Sequence, residues 1–504
     1  MNFRIVCHRR FWNGCFGPVF VVLMLAAMGL TEARAQFTTR IVDGTVTITG
    51  YTGTATAVTI PATIGGVPVT RIGTNAFELS GITRVTFPQG LLSIGDEAFW
   101  GCDLTTLALP SSLTRIGNRA FGFCELTSVQ LPAGLIELGI GAFSANFDLR
   151  TIMVDPLNTV YSSIDGILFA KDQTRLLLYP RGRVQTAYSV PGSVVSIGRD
   201  AFRSADRLRS LSLPEGLLSI GTNAFAFCVG LTGLAIPATV NEIGDDAFFA
   251  CDGLRSIEVA AGNVNFQSLD GVLFDRPLKR LMHYPKLRSA TVYSVPDGVV
   301  EIPAGTFSDC LNLRQVSLPS SVTTLGADAF IGCNSLVQIN LPDGITRIED
   351  NTFAYCLSLV RITLPANITR IGAGAFAECP KLREVYFTGN RPENGSLPFE
   401  NSTLATVFNL PGTTGWGTQF GGRPVRLWNP QIQVSDPNFG VQSGRFGFKV
   451  TGVPAIVVVI EACDDLGTSA WTALSTNTLA GGMAIYSDSQ WDLHPHRHYR
   501  LRTP

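Results

Sequence analysis

Residues 109–132 read LPSSLTRIGNRAFGFCELTSVQLP, and the chain repeats this unit with its Ala-Phe pair in fixed phase. Phe77, Phe99, Phe121 and Phe143 are spaced by 22 residues. Phe202, Phe225 and Phe248 are spaced by 23, as are Phe307, Phe330, Phe353 and Phe376. Both gaps, Phe143 to Phe202 and Phe248 to Phe307, are 59 residues long. A period of 22–23 with one large apolar side chain held in register is the signature of a solenoid. Each unit is too small to bury its own apolar face and must stack on its neighbours. The alternation in Leu126-x-x-Val129-x-Leu131 predicts one half-buried strand per coil, ended by Pro132. Gly139 is expected to turn the chain. Asp96, Asn118, Thr222, Asp245 and Asp350 precede the Phe residues as N-caps of one short helical turn. The expected fold is therefore an α/β-type solenoid, mostly β, with one parallel strand and one short helical turn per coil.

Eight cysteines keep the same phase, three residues after Phe: Cys102, Cys124, Cys228, Cys251, Cys310, Cys333, Cys356 and Cys379. One Cys per coil at one height reads as a buried ladder of small apolar side chains. Disulfides between neighbouring coils are the alternative, since an exported chain permits them. Zinc ligation fits less well, because no His accompanies these cysteines.

A second period of 105 residues overlies the first. Ser163-Ile164-Asp165-Gly166-Ile167-Leu168-Phe169 returns as Ser268-Leu269-Asp270-Gly271-Val272-Leu273-Phe274, and Leu178-Tyr179-Pro180 as His283-Tyr284-Pro285. Asp-Gly between strand-like runs is a hairpin signal. Each long gap is one ordinary unit plus 36 residues of hairpin structure, placed at about 150–190 and 255–295. A tandem duplication explains both.

The units LPSSLTRIGNRAFGFC, LPSSVTTLGADAFIGC and LPANITRIGAGAFAEC, with the inserts YSSIDGILF and LLLYP, resemble BspA-like leucine-rich repeat surface proteins of bacteria. The resemblance spans roughly residues 60–390. It implies a leucine-rich repeat fold and a secreted or surface-bound role in adhesion and protein binding. The family motif contains no catalytic residue, so none carries over.

Outside the repeats, Arg4, Arg9 and Arg10, the apolar run Pro18–Leu30 and Ala33-Arg34-Ala35 read as an export signal cleaved after Ala35. The apolar run is shorter than the roughly 20 residues a membrane span needs, and no later segment is expected to span. Cleavage leaves 34 basic against 38 acidic residues, a balance unsuited to nucleic acid. Charged residues make up only 15% of the chain, Gly numbers 51 and mean hydropathy is +0.24, which fits stacked coils and excludes disorder.

The expected organisation is a signal at 1–35, an N-terminal β cap at 36–60 and repeats over 61–385. A C-terminal cap follows at 386–429, where the Phe column stops, and a separate small β-sandwich-like module at 430–504. That module is similar to β tails of secreted bacterial repeat proteins. Trp416, Phe420 and Trp428 read as part of the cap, with a sugar-stacking platform as the alternative. His494, His496 and His498 would share one strand face, as an exposed cluster or, less favoured, a metal site.

No phosphate loop, HExxH or dinucleotide fingerprint occurs, and the solenoid holds one His, His283 in the second insert, which leaves a hydrolytic triad little to use. No cofactor, metal or catalytic residue is expected. The expected function is a non-catalytic adhesion protein at the cell surface or outside it, presenting its repeat sheet to an extracellular protein or matrix ligand. The alternative is a carbohydrate-binding or carbohydrate-processing protein using the aromatic C-terminal region.

Overall fold

The computed structural model describes residues 36–452, 454, 456–466 and 471–502. The expected export signal and its cleavage point at Ala35 lie outside the described residues. From Phe37 onward the regular elements are short strands, with one 3-10 turn at Trp491–Leu493. The described residues divide into two compact units, 36–124 with 134–144, and 125–133 with those from 145 onward.

The first unit begins with a hairpin, Phe37–Val42 against Thr45–Tyr51. Asp43 (φ 51°) and Gly44 (φ 71°) take the two left-handed positions of its tight turn, the conformation that matches strand twist. The second hairpin strand pairs in parallel with Val67–Ile72. The sheet then continues through Ser93–Ile94, Arg115–Ile116 and Glu137–Leu138, each displaced by one repeat. Phe77, Phe99, Phe121 and Phe143 stack with centroids 4.8, 5.3 and 5.8 Å apart. Tyr51 lies over the open face of Phe77 at 5.4 Å. Burying each Phe contributes roughly 1.5–3 kcal/mol, so the column is the main apolar rib of the unit.

The second unit repeats this plan. The parallel strands Ser196–Ile197, Ser219–Ile220 and Glu242–Ile243 form one sheet side. Arg361–Leu364, Glu384–Phe387, Thr406–Asn409 and Arg423–Leu427 form a run on the other. Most ordinary coils thus give a strand to each of two sheets, not one as expected. The second strand is only two residues long, too short to show alternation in sequence.

The turn that carries each Phe is not helical. Around Phe225, Asn223 (φ 55°) and Phe227 (φ 62°) are left-handed, which ends any helical run on both sides. The amides of Asn223, Phe225 and Phe227 instead donate to the carbonyls of Asp245, Ala247 and Phe249 in the next coil. The supposed N-caps follow the same logic. Asp96 Oδ1 accepts from Asn118 N, Asn118 Oδ1 from Ile140 N and Asp350 Oδ1 from Ala373 N, each at 2.8 Å. Gly139 permits close approach rather than turning: a Cβ there would lie 2.3 Å from Asn118 N of the preceding coil.

Each insert is a three-strand meander. Tyr161–Ile164, Ile167–Ala170 and Arg175–Leu178 make the first; Phe266–Leu269, Val272–Asp275 and Leu281–His283 make the second. Asp165-Gly166 and Asp270-Gly271 are left-handed at the hairpin tips. Asn158 and Asn263, fully buried, pin the meanders by accepting from the amides of Val160 and Tyr161, and of Asn265 and Phe266. Tyr179 and Tyr284 take the place of Phe in the column, 5.1 Å from Phe202 and 4.9 Å from Phe307.

The Phe column does not stop at Phe376. Phe399, 23 residues on, stacks on it at 5.3 Å and 10°. Nor does the C-terminal β module stand apart. Its sheets, built on Arg445–Thr451 and Val457–Cys463, share a core with the solenoid. Phe448, Val450, Val458 and Ile460 pack with Tyr386, Phe408 and Trp428. Tyr386 and Phe408 are the outward residues of their strands, flanked by inward Val385 and Val407, so the module occupies the outer face of that sheet.

Candidate functional site

The repeat cysteines are buried and free, as is Cys463. Seven of them have a structural partner. The thiols of Cys102, Cys124, Cys228, Cys251, Cys333, Cys356 and Cys379 donate to the carbonyl of the Phe one coil back, at 2.9–3.3 Å. Burial pushes the Cys251 and Cys333 thiols up to about 12, so they are not nucleophiles. The eleven Phe residues of the column are likewise buried. The residues singled out by the repeat are therefore core, and candidate chemistry lies elsewhere.

The outward strand positions form the first candidate surface. Gln315 and Gln338 lie opposite each other and are exposed, as are Ser210 and Ser212 in a neighbouring sheet. The four are polar, and the same strand position carries Ser210 in one coil and Gln338 in another.

A cleft marks the second candidate. In the first duplicated block, Gly198 N donates to Leu176 O at 2.8 Å and Tyr179 N to Ala201 O at 2.7 Å, which welds the meander to the next coil. In the second block Pro303 stands where Gly198 would, 105 residues on, and has no N–H to give. There the meander keeps the bridge Arg280↔Glu301 and the bonds that Val300 N and Glu301 N donate to Lys279 O, and the bonds equivalent to those of Gly198 N and Tyr179 N are missing. The inter-coil amide ladder also pauses: it runs from Phe225 to Ala247, then resumes with Phe307 N donating to Ala329 O. A cleft of about 390 Å³ lies here, between the turn at Phe248 and the turn at Phe307. It continues over Phe249, Asp309, Asp328, Ile331 and Tyr355 as a shallower groove.

His283 lines the cleft where the first block has Leu178. Its ring lies 5.7 Å from Phe248, next along from Phe225. Its Nε2 is shielded from solvent and has no hydrogen-bond partner. Burial, reinforced by the Lys286 charge, lowers its pKa to about 3, so the ring is neutral at physiological pH. Lys286 Nζ bridges Asp252 (2.9 Å) and Asp309 (3.2 Å). Burial alone would depress the ammonium, but these carboxylates outweigh it and raise its pKa. His283 was noted in the sequence only as part of an insert. The departures Leu178/His283 and Gly198/Pro303 were the signal, visible on aligning the two blocks.

The C-terminal aromatic cluster is not an open platform. Phe420 and Trp428 are buried, and Trp428 Nε1 donates to Val457 O at 3.0 Å. Trp416 packs partly buried against Phe387 and Phe420. Nor do the three C-terminal histidines share a strand. The strand starts at His498, while His494 caps the 3-10 turn and pairs with Asp464 at 2.7 Å. Among the described residues no group of His, Cys, Asp or Glu is arranged to hold a metal. No helix among them is long and apolar enough to cross a membrane.

Three solved structures are similar to this chain. A leucine rich cell surface protein from Faecalibacterium prausnitzii is 27% identical over 75% of this chain and 94% of its own, with a TM-score of 0.47. The pneumococcal vaccine antigen PcpA is 23% identical over 74% and 85%, TM-score 0.38. A leucine-rich repeat protein from Bacteroides ovatus is 24% identical over 70% and 93%, TM-score 0.35. No curated protein matches the chain. The model of the BspA type leucine rich repeat region matches in six copies over residues 56–173, 184–275 and 287–415. With the stacked coils, the Phe column and the paired meanders, that match covers more than half of the sequence, and the chain belongs to the BspA-type leucine-rich repeat family.

Proposed function

We propose that this is an exported, non-catalytic interaction protein that binds an extracellular protein partner through the exposed faces of its repeats. The observation that carries this reading is the division of labour within each coil. The residues that recur (Leu, Ile, Phe, Cys) are buried, and the outward residues at one strand position, such as Ser210 in one coil and Gln338 in another, differ and are exposed. A solenoid can change such positions without disturbing its stacking. Membership of the BspA-type leucine-rich repeat family supports the location. The burial of Phe420 and Trp428 speaks against a sugar platform at the C-terminal end.

The test is capture from extracellular and matrix protein extracts by the immobilised chain beginning at Gln36, run beside a glycan array. Saturable binding of a protein with an empty array supports the reading. Glycan binding alone, or turnover of a glycan, peptide or ester, overturns it.

A further inference from the structure

We propose that the cleft at His283 and the groove beyond it form a docking site for a basic, arginine-bearing peptide segment of a protein partner. The inference deepens the reading above and rests on it.

Charge gives the first argument. Asp245, Asp246, Asp309 and Asp328 line the site against Arg280 and Lys286. Both cations are already engaged, Arg280 by Glu301 at 3.2 Å and Lys286 by Asp252 and Asp309. Asp245, Asp246 and Asp328 are in no ion pair of the described chain, so the groove presents uncompensated negative charge. A cationic guest is the complement.

Shape and surface give the second. The rings of Phe249 and Tyr355 are about half exposed and border the groove, with Ile331 between the acidic positions. Aromatic faces beside carboxylates suit a guanidinium, which stacks on a ring while its N–H groups reach acid oxygens. The aliphatic stem of such a side chain covers apolar surface.

His283 gives the third. A shielded ring nitrogen without a partner is costly in a folded protein. The neutral imidazole does not repel a cation, and a guest N–H that displaced the cover over Nε2 would give it the donor it lacks. The cleft lies where Pro303 has no backbone donor to give, and a histidine lines it where the sister block has Leu178. Both departures from the repeat act on one spot.

The probe is a short fluorescein-labelled peptide of alternating arginine and glycine, with its glutamate counterpart as control, read by anisotropy at physiological ionic strength. The chain from Gln36 should bind the arginine peptide and ignore the glutamate one. The double variant Asp246→Asn, Asp328→Asn should weaken binding about tenfold, the equivalent of one lost charge-assisted contact. His283→Leu, a residue the sister position already accommodates, should weaken it several-fold. Glu125→Gln with Asp148→Asn removes equal charge away from the groove and should change nothing. No binding by the wild-type chain, equal loss in both double variants, or no loss in either overturns the site. A captured protein partner whose binding ignores the groove variants would refute this inference alone. Groove-dependent peptide binding without any protein partner would refute the broader reading alone.

Discussion

A thiol with a pKa near 12 is chemically silent, and here it serves as a hydrogen-bond donor instead. In the coil of Phe399 the position keeps a donor: Ser402 stands for cysteine and donates to Phe376 O at 2.6 Å while accepting from Cys379 N at 2.8 Å. Cys356, which donates to Phe330 O, tests the point. Cys356→Ser should be more stable than Cys356→Ala by about 1 kcal/mol, the usual worth of such a bond, measured by denaturant unfolding. Equal stability of the two would show that the thiol acts only by filling space. Native protein should also resist thiol reagents until unfolded. At His283 the expected effect runs with pH. The folded ring titrates near 3 and the unfolded ring near 6.5, so the unfolded state binds more protons between those values. The stabilising contribution of the neutral ring is complete above pH 6.5 and is lost as pH falls towards 3. His283→Leu should therefore gain melting temperature over wild type at pH 5 relative to pH 8. A gap that is the same at both would remove His283 as the cause of acid sensitivity.

Elements were legible where one residue type recurs in phase and hidden where the backbone does the work. The Phe column, the stacked coils and the Asp-Gly hairpin tips could be read from spacing. The paired left-handed positions could not, because residues as different as Asn223, Phe227 and Asp309 share them with scattered glycines such as Gly305 and Gly332. Without them, the segment before Phe looks like a capped helical turn. Tyr179, Tyr284 and Phe399 escaped for another reason: they keep the 23-residue spacing but lie in segments otherwise unlike the repeat. The cleft could be seen only by asking what one block lacks, and Pro303 is the test. Pro303→Gly restores the amide that Gly198 uses in the first block. Its expected result is closure of the meander onto the following coil, with slower hydrogen exchange over residues 281–286 and weaker binding of the arginine peptide. Unchanged exchange there would mean that His283, not the missing amide, holds the cleft open.

For the molecule as a whole, the C-terminal module decides how much of the repeat surface is free. Its core is completed by Tyr386 and Phe408 from the outer face of the last sheet, and by Trp428. Tyr386 Oη accepts from Val457 N, and Trp428 donates to Val457 O. Deleting the module would uncover three large aromatic residues on one face, a patch of the kind that drives association. A chain ending at residue 428 should therefore aggregate or loosen over residues 384–409. The same chain carrying Tyr386→Thr and Phe408→Thr, polar like the outward Thr363 of the preceding strand, should stay monodisperse by light scattering. The groove from Asp245 to Tyr355 has no residue in the core that the module completes. The repaired, truncated chain should then bind the arginine peptide as the longer chain does. The module's part would be to cover the end of the sheet, leaving recognition to the coils before it. Loss of peptide binding from that monodisperse, folded chain would assign the module a direct share in recognition and contradict this division.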